Sequence, residues 1–583
     1  MTGRRRDAGW LLALLVGYAV LAQQAVTGSL AGGLVAAAVV TGLEVALSAR
    51  HADLVQVLDR VLLGRALRSV ARSGLLALLL LQAPQTGAAL DRAALLALVA
   101  VQVGRTTGTS VADEVALRRS RPVQWRTLSV PELEPGERER FAARWADPVA
   151  ARLPDLELLV VAGGLAVALG APASVLWAAL ALVPVAVLAA LGVLRSCVRG
   201  VRAAPGPEEA VVAVRAAVER AAPRVVAYFG GPPSSTHALN VWLPTLDRLD
   251  VSCLVVVREP WHLDALVPSS VPAVHLPRAT DVEDFAVPSL QLALYPTNVV
   301  VNNHLLRVPG ITDVFVGHGD SDKAGSSTPL SRIFDEIWVA GPAGRDRYRT
   351  AQVGVRDEQV REIGRPQLVD VERARPRPAA GTDERFTVLY APTWEGFYAA
   401  GNYSSLALMG AALVRALLAL DGVRVLVKPH PASGSVDPAY ARAARQVTRL
   451  VEQAGAPHEV ASGVTGLYEA FNAADLLVSD VSSVVTDFLQ SGKPYAMTNP
   501  LGLPEQEYRT TFPSSAAACL WSRDLADVAA DVAEARGPDR RREDRARLRA
   551  YLLGADPDPA AGFPAAVHAL LAATPARSHA VAD

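Results

Sequence analysis

Residues 475–494 read Asp-Leu-Leu-Val-Ser-Asp-Val-Ser-Ser-Val-Val-Thr-Asp-Phe-Leu-Gln-Ser-Gly-Lys-Pro, and the fold of the second half of the chain is decided here. Leu476–Val478 is an apolar run too short for a buried helix. It ends in a hydroxyl-rich turn, Ser479 to Ser483, from which a helix starts near Ser482 and runs through Asp487 towards Gly492. Pro494–Met497 then reads as the next strand. Strand, turn, helix and strand in this order form the repeating unit of a parallel sheet with crossover helices. Working outwards, Phe386–Tyr390 and Val423–Val427 join the same set. A second set precedes it: Arg224–Phe229, Ser252–Val257, Asn298–Val301, Asp313–Val316 and Glu336–Val339. Between the sets, residues 373–385 are rich in arginine, proline and alanine without hydrophobic period, which predicts a linker. The expected fold class is α/β, with two Rossmann-like lobes at 205–372 and 386–560 and a tail at 561–583.

The first third is of another kind. Apolar runs at about 10–26, 28–47, 74–90, 91–104, 156–171 and 174–194 predict an α-helical transmembrane domain over residues 1–202 with four to six spans, the third and fourth runs being the weakest at the roughly 20 residues a span needs. Arg4, Arg5 and Arg6 precede the first run. Arg50, Arg60, Arg65, Arg68 and Arg72 follow the second, Arg118, Arg119, Arg121 and Arg126 follow the fourth, and Arg195, Arg199 and Arg202 follow the last. The hairpins near Thr27 and Ala171 carry no lysine or arginine, so the arginine-rich sides and everything after residue 202 are expected in the cytoplasm.

Composition agrees with a chain partly in lipid: of 583 residues, 51% are hydrophobic and 20% charged. The formal net charge of −1 excludes the strongly basic footprint of a nucleic-acid binder. Cys197, Cys253 and Cys519 are scattered, with neither disulfide nor zinc spacing. Among 57 basic residues only Lys323, Lys428 and Lys493 are lysine, so each marks a place where a compact point charge is of use.

In open parallel sheets, ligands bind beyond the carboxyl ends of the strands. Four clusters stand there: Gly317-His318-Gly319-Asp320, Ala391-Pro392-Thr393-Trp394, Lys428-Pro429-His430-Pro431 and Asp480-Val481-Ser482-Ser483. His318 between two glycines is approachable by substrate and has the ordinary pKa of a base acting near neutrality. His430, held between prolines beside Lys428, is the candidate to steady a phosphate or protonate a leaving group. Ser482 and Ser483, with helix-start amides, suit a phosphate or diphosphate, and Lys428 and Lys493 are the candidate cations. A metal at His318, Asp320 and Asp322 lacks further ligands, so no bound metal and no cofactor are expected. His51, His237, His262 and His304 are read as structural. No Walker-type loop or dinucleotide fingerprint is present.

The motifs together resemble the CDP-glycerol glycerophosphotransferase family, the polymerases and primases of wall teichoic acid synthesis. His318-Gly319 matches its histidine-glycine motif and Ala391–Trp394 its Ala-Pro-Thr-Trp motif. Lys428–Pro431 matches its basic-Pro-His-Pro motif. Asp480, Ser482, Ser483 and Asp487, followed by Lys493-Pro494, match its aspartate and paired serines. The resemblance spans roughly residues 225–500. It implies a glycosyltransferase-B-like fold, His318 as base, and Lys428, Ser482, Ser483, Asp480, Asp487, Lys493, Thr393 and Gly319 about the donor. The chain departs from the family at Asp320, usually threonine, at Gln367, where Gly364–Pro366 is usually followed by arginine, and in having several transmembrane runs.

The apolar runs and the arginine pattern, taken with the resemblance, predict a bacterial multi-pass membrane enzyme with cytoplasmic catalytic lobes. It would move glycerol phosphate, or a related polyol phosphate, from a CDP-linked donor to a lipid-linked or cell-wall polymer acceptor and release CMP. Its partners would be CDP-glycerol or another CDP-polyol, a lipid-linked polymer and membrane lipids, with no nucleic acid. The alternatives are a nucleotide-sugar glycosyltransferase of envelope polysaccharide synthesis and a non-catalytic nucleotide-binding scaffold.

Overall fold

The computed structural model describes residues 2–50, 54–55, 58, 64–82, 88–119, 123–322, 327–374, 385–396, 401–461 and 466–575. His51, Arg60, Arg121, Lys323, most of the expected 373–385 linker and the last eight residues of the expected tail lie outside them. The chain forms two units: residues 1–121 with 130–213, and residues 122–129 with 214–583.

The first unit is helical: α1 (Thr2–Thr27), α2 (Leu30–Arg50), α3 (Arg65–Gln82), α4 (Ala88–Arg119), α5 (Glu137–Arg152), α6 (Glu157–Ala168) and α7 (Ala173–Arg202). Among the described residues, four helices hold stretches long and apolar enough to cross a membrane, Gly9–Thr27, Leu30–Leu47, Ala89–Arg119 and Ala173–Arg202. Of the expected run at 74–90, α3 carries residues 74–82 and residues 83–87 lie outside the described ones; the run at 156–171 gives only the twelve-residue α6, about 18 Å long at 1.5 Å per residue and too short to span. The core is Leu21, Leu34, Leu76, Leu79, Leu98, Val101, Leu176 and Val183 with their neighbours.

Arg68 and Arg72, which the sequence places in a loop that only sets orientation, instead lie on the buried face of α3. Arg72, 1% exposed, pairs with Glu44 of α2 and, at 2.7 Å, with Glu157 of α6. Arg68 Nε reaches Glu44 at 3.1 Å, and Tyr18 donates to the same carboxylate at 2.8 Å. Gln102 of α4 donates to Glu157 at 2.9 Å. Five helices therefore meet on one charge-balanced set, whose members are affordable in an apolar bundle only because each is paired. Arg72→Ala is expected to cost about 3 kcal/mol, the low end for breaking a buried pair, because Arg68 remains to hold Glu44. Thermal unfolding in detergent measures it, and Arg72→Ala with Glu157→Leu is expected to recover part of the loss.

The second unit contains two sheets. The first runs β1-β4-β3-β2-β5-β6-β7-β8, from β1 (Gln124–Arg126), β2 (Val225–Phe229), β3 (Cys253–Val257), β4 (Ala273–His275), β5 (Leu292–Tyr295), β6 (Thr312–Phe315), β7 (Glu336–Val339) and β8 (Val360–Glu362). All its pairings are parallel except β1 on β4. The second sheet is wholly parallel, β11-β10-β9-β12-β13-β14, from β9 (Phe386–Ala391), β10 (Val423–Val427), β11 (Glu459–Val460), β12 (Leu476–Ser479), β13 (Tyr495–Thr498) and β14 (Cys519–Trp521). This is the expected two-lobed, glycosyltransferase-B-like α/β arrangement. Its central strands, among them Val225–Phe229, Cys253–Val257, Leu292–Tyr295, Phe386–Ala391 and Leu476–Ser479, are buried along their whole length, as expected of parallel sheets covered on both faces.

Two readings change. Asn298–Val301 is not a strand: Val300 is 78% exposed in a short 3₁₀ turn, and the strand in this place is Leu292–Tyr295, ended by Pro296. Residues expected in a tail form helix Gly562–Ala573, whose Phe563, Ala566, Val567 and Leu571 enter the core of the first lobe beside Trp242 and Trp338.

Candidate active site

Each of the four clusters follows the carboxyl end of a strand, β6, β9, β10 or β12, and they border one cavity of about 960 Å³ between the lobes. His318, Gly319, Thr393, Lys428, His430, Ser482, Ser483 and Asp487 all line it.

Gly317 turns the chain at φ +59°, and Trp242 Nε1 fixes that turn by donating to the Gly317 carbonyl at 2.6 Å. Gly319 is required for another reason: a Cβ there would stand 2.9 Å from Ser483 Cβ and Oγ, so the second lobe approaches the first only where a side chain is missing. His318 Nδ1 lies 3.1 Å from the Pro296 carbonyl. A carbonyl only accepts, so Nδ1 carries the proton and the Nε2 lone pair is left for substrate. Burial, then neighbouring His237 and more weakly Arg365, push this imidazole down to about 4, so it is neutral at neutral pH.

His430 is the converse. Its Nδ1 accepts the Ala432 amide at 3.1 Å, so the neutral ring carries its proton on Nε2. Trp394 stacks on it at 6.2 Å between centroids. His237 stands between the two, edge-on to His318 at 5.6 Å and to His430 at 5.7 Å. His237, read from the sequence as structural, borders the cavity. Its signal was available, since it follows Gly230-Gly231 at the carboxyl end of β2, the same kind of place as the four clusters. His262 keeps its structural role, bonded to Thr236 at 2.7 Å and to the Gly231 carbonyl at 2.9 Å.

Lys428 follows β10 with its backbone amide bonded to the Tyr390 carbonyl at 2.9 Å, and burial lowers its ammonium's pKa while Glu469 opposes the shift. Ser482 has extended backbone and does not cap the helix after it; its hydroxyl is within 3.3 Å of Ser479 Oγ. That helix, Ser483–Phe488, is six residues long, so its dipole is small and side chains must supply most of the field at the site.

Two candidates lie away from the cavity lining. Asp480 is buried behind the turns, accepting from the Thr393 amide at 2.8 Å and from Thr498, and so ties the end of β9 to β12. Lys493 Nζ donates to the Phe471 and Asn472 carbonyls, each at 2.9 Å, closing the end of helix Gly466–Ala473. Asp487 borders the cavity but faces Arg365, a residue the sequence reading passed over. Arg365 Nε is 2.9 Å from Asp487 Oδ1, its second nitrogen is 3.3 Å from Oδ2, and it also donates to the His318 carbonyl at 3.0 Å. One guanidinium thus joins the histidine loop of the first lobe to the serine helix of the second.

Glu395 was also passed over. Its carboxylate accepts the amides of Gly434, Val436 and Asp437 at 3.0 to 3.1 Å. Burial works against its charge, but these amides prevail and hold its pKa below the usual glutamate value. It thereby anchors the loop that carries Lys428 and His430. Glu395→Ala is expected to weaken donor binding about tenfold to a hundredfold, about 1.4 to 2.8 kcal/mol, which donor titration measures. One oxygen of Asp320 pairs with Arg347, and Asp322 accepts the Ser514 amide at 2.7 Å.

Residues 357–500 match the model of the CDP-Glycerol:Poly(glycerophosphate) glycerophosphotransferase family. Three of the four clusters fall inside this segment, and the His318 loop lies before it. Comparison with curated proteins gives no match. Among solved structures, the wall teichoic acid polymerase TagF is 13% identical, with a TM-score of 0.38 over 63% of this chain and 94% of that one. A UDP-N-acetylglucosamine 2-epimerase is 11% identical, with a TM-score of 0.39 over 59% and 94%. The UDP-GlcNAc 2-epimerase of Neisseria meningitidis is 10% identical, with a TM-score of 0.36 over 59% and 98%. Scores this low assign no function, and the two-lobed fold stands on its own sheet topology. Over residues 357–500, and through the motifs that segment carries, what this chain resembles is the CDP-glycerol glycerophosphotransferase family of transferase enzymes.

Proposed function

We propose that this protein is a membrane-bound transferase that moves glycerol phosphate, or a related polyol phosphate, from a CDP-linked donor to a hydroxyl of a lipid-linked or cell-wall polymer, releasing CMP. Its four apolar helices would cross the bacterial membrane, and the arginine distribution would keep the two lobes in the cytoplasm. His318 Nε2 takes the proton of the acceptor hydroxyl as its oxygen attacks the distal phosphorus. The bond from that phosphorus to the bridging oxygen breaks, and CMP departs with the bridging oxygen. His430 Nε2–H donates to the charge growing on the leaving phosphate, while Lys428 and the Ser482 and Ser483 hydroxyls hold the remaining oxygens. Gly319 and Thr393 shape the wall beside them; Asp480, Asp487 and Lys493 hold the donor-side loops in place. Catalysis is then largely positioning and electrostatic stabilisation, as in other phosphoryl transfers.

The observation that carries this reading is the pairing of opposite tautomers in one cavity, His318 with its proton on Nδ1 and neutral His430 with its proton on Nε2, beside a lysine and two serines. Thermal unfolding with added nucleotides tests the donor class. CDP-glycerol is expected to raise the unfolding temperature of the wild type more than UDP-N-acetylglucosamine at equal concentration. The reverse order contradicts the proposal and favours sugar transfer.

A further inference from the structure

Gln367 borders the same cavity with 4% of its surface exposed, and among the described residues neither its Oε1 nor its Nε2 has a hydrogen-bond partner. Thr245, 6% exposed, borders it from helix Leu243–Asp247, and its Oγ1 is likewise unpartnered. The two are on elements packed together and joined by the Arg248–Asp370 ion pair at 2.7 Å. A third such atom is Asp320 Oδ2, in the first lobe's share of the lining, whose sister oxygen takes Arg347. Buried polar groups are almost always paired, so orphans bordering one cavity are groups held ready for a ligand.

Their chemistry says what kind. A hydroxyl both donates and accepts, so a pair of hydroxyls satisfies both atoms of the Gln367 amide and the Thr245 oxygen, and a donated hydroxyl satisfies Asp320. A phosphate at neutral pH mostly accepts: it would pair with Nε2 but face Oε1 and the Asp320 carboxylate with like partial charge. The phosphate-directed groups, Lys428, His430, Ser482 and Ser483, come instead from the other lobe. We propose that Gln367, with Thr245, forms a specificity subsite for a neutral polyhydroxylated unit, a polyol or sugar end. This rests on the transferase reading above and names the uncharged part of the substrate it would select. That unit is either the polyol of the donor or the terminal residue of the acceptor, and the two sources are separable.

The test uses the full chain in detergent as wild type, Gln367→Leu and Thr245→Val, with initial rates of CMP release. One arm varies CDP-glycerol; the other varies heat-inactivated bacterial membranes as the acceptor. Gln367→Leu is expected to raise the half-saturating concentration in one arm by about tenfold or more, as for a site built to bond a hydroxyl, and to leave the other within about twofold. Thr245→Val should move the same arm. The unfolding temperature of Gln367→Leu should equal or exceed the wild type's, because an unpaired buried amide has been removed. A donor-arm change places the polyol of CDP-glycerol at this wall, and an acceptor-arm change places the polymer end there. Wild-type release of CMP with neither arm moved by Gln367→Leu overturns this inference alone. No CMP from the wild type overturns the transferase reading and takes this subsite with it.

Discussion

His318→Ala is expected to lower kcat by about 100- to 10,000-fold, the range a positioned base supplies, while leaving the affinity for CDP-glycerol within about twofold. The split follows from geometry. In the proposed reaction the Nε2 lone pair serves the acceptor hydroxyl and the donor phosphates are held by groups of the other lobe, so the loss is expected in the transition state rather than in ground-state binding. The pH dependence supplies a second readout. Because burial, His237 and Arg365 hold His318 down to about 4, the free enzyme keeps its base unprotonated far below the ordinary histidine value of about 6.5. The acid limb of kcat/KM that belongs to His318 should therefore lie near pH 4 to 5, with the profile flat through pH 6 to 7. A bound diphosphate adds negative charge beside the ring and favours the imidazolium, so the corresponding limb in kcat should lie higher. Initial CMP-release rates across pH for wild type and His318→Ala check both statements.

Arg365→Ala is expected to cost about 3 to 5 kcal/mol of stability, because it strands the Asp487 carboxylate, buried with its partner, without a counter-charge. Activity should fall further than stability explains, since the same guanidinium donates to the His318 carbonyl and so aims the base. Arg365→Lys is not a mild change: an ammonium cannot make the two-nitrogen contact with Asp487 and reach the carbonyl as well. The double variant Arg365→Met with Asp487→Leu separates the effects. Replacing both ends of a buried pair with apolar groups should restore most of the unfolding temperature, yet kcat should stay depressed because the His318 loop has lost its anchor. Thermal unfolding and turnover on the same preparations decide it.

Much of the catalytic half was legible because parallel strands buried on both faces announce themselves as short runs of branched apolar residues, and because polar clusters at their carboxyl ends mark a ligand cleft. The four clusters needed nothing more. What was not legible depends on long-range partners. Arg365 is one arginine among many until Asp487 and His318 are seen at its end. Lys493 looked like a donor cation because it is one of three lysines, whereas two carbonyls of a neighbouring helix terminus claim it. Arg72 likewise looked like a topology signal until Glu44 and Glu157 were placed against it. Asn298–Val301 had a strand's composition but followed Pro296 and is largely exposed, a case of local propensity losing to tertiary context. Helix Gly562–Ala573 was hidden by its small residues, whose burial depends on the first-lobe core they return to.

The central claim is that the distal phosphorus of a CDP-linked donor is the centre attacked. Phosphorus-31 NMR of the nucleotide released when the full chain turns over CDP-glycerol with heat-inactivated membranes reads that directly. A single monophosphate resonance, CMP, is expected in step with loss of the donor diphosphate signals, and is expected to be absent with His318→Ala. Release of CDP, its two coupled phosphorus signals intact, would mean that the bridging phosphorus–oxygen bond had not broken and would overturn it.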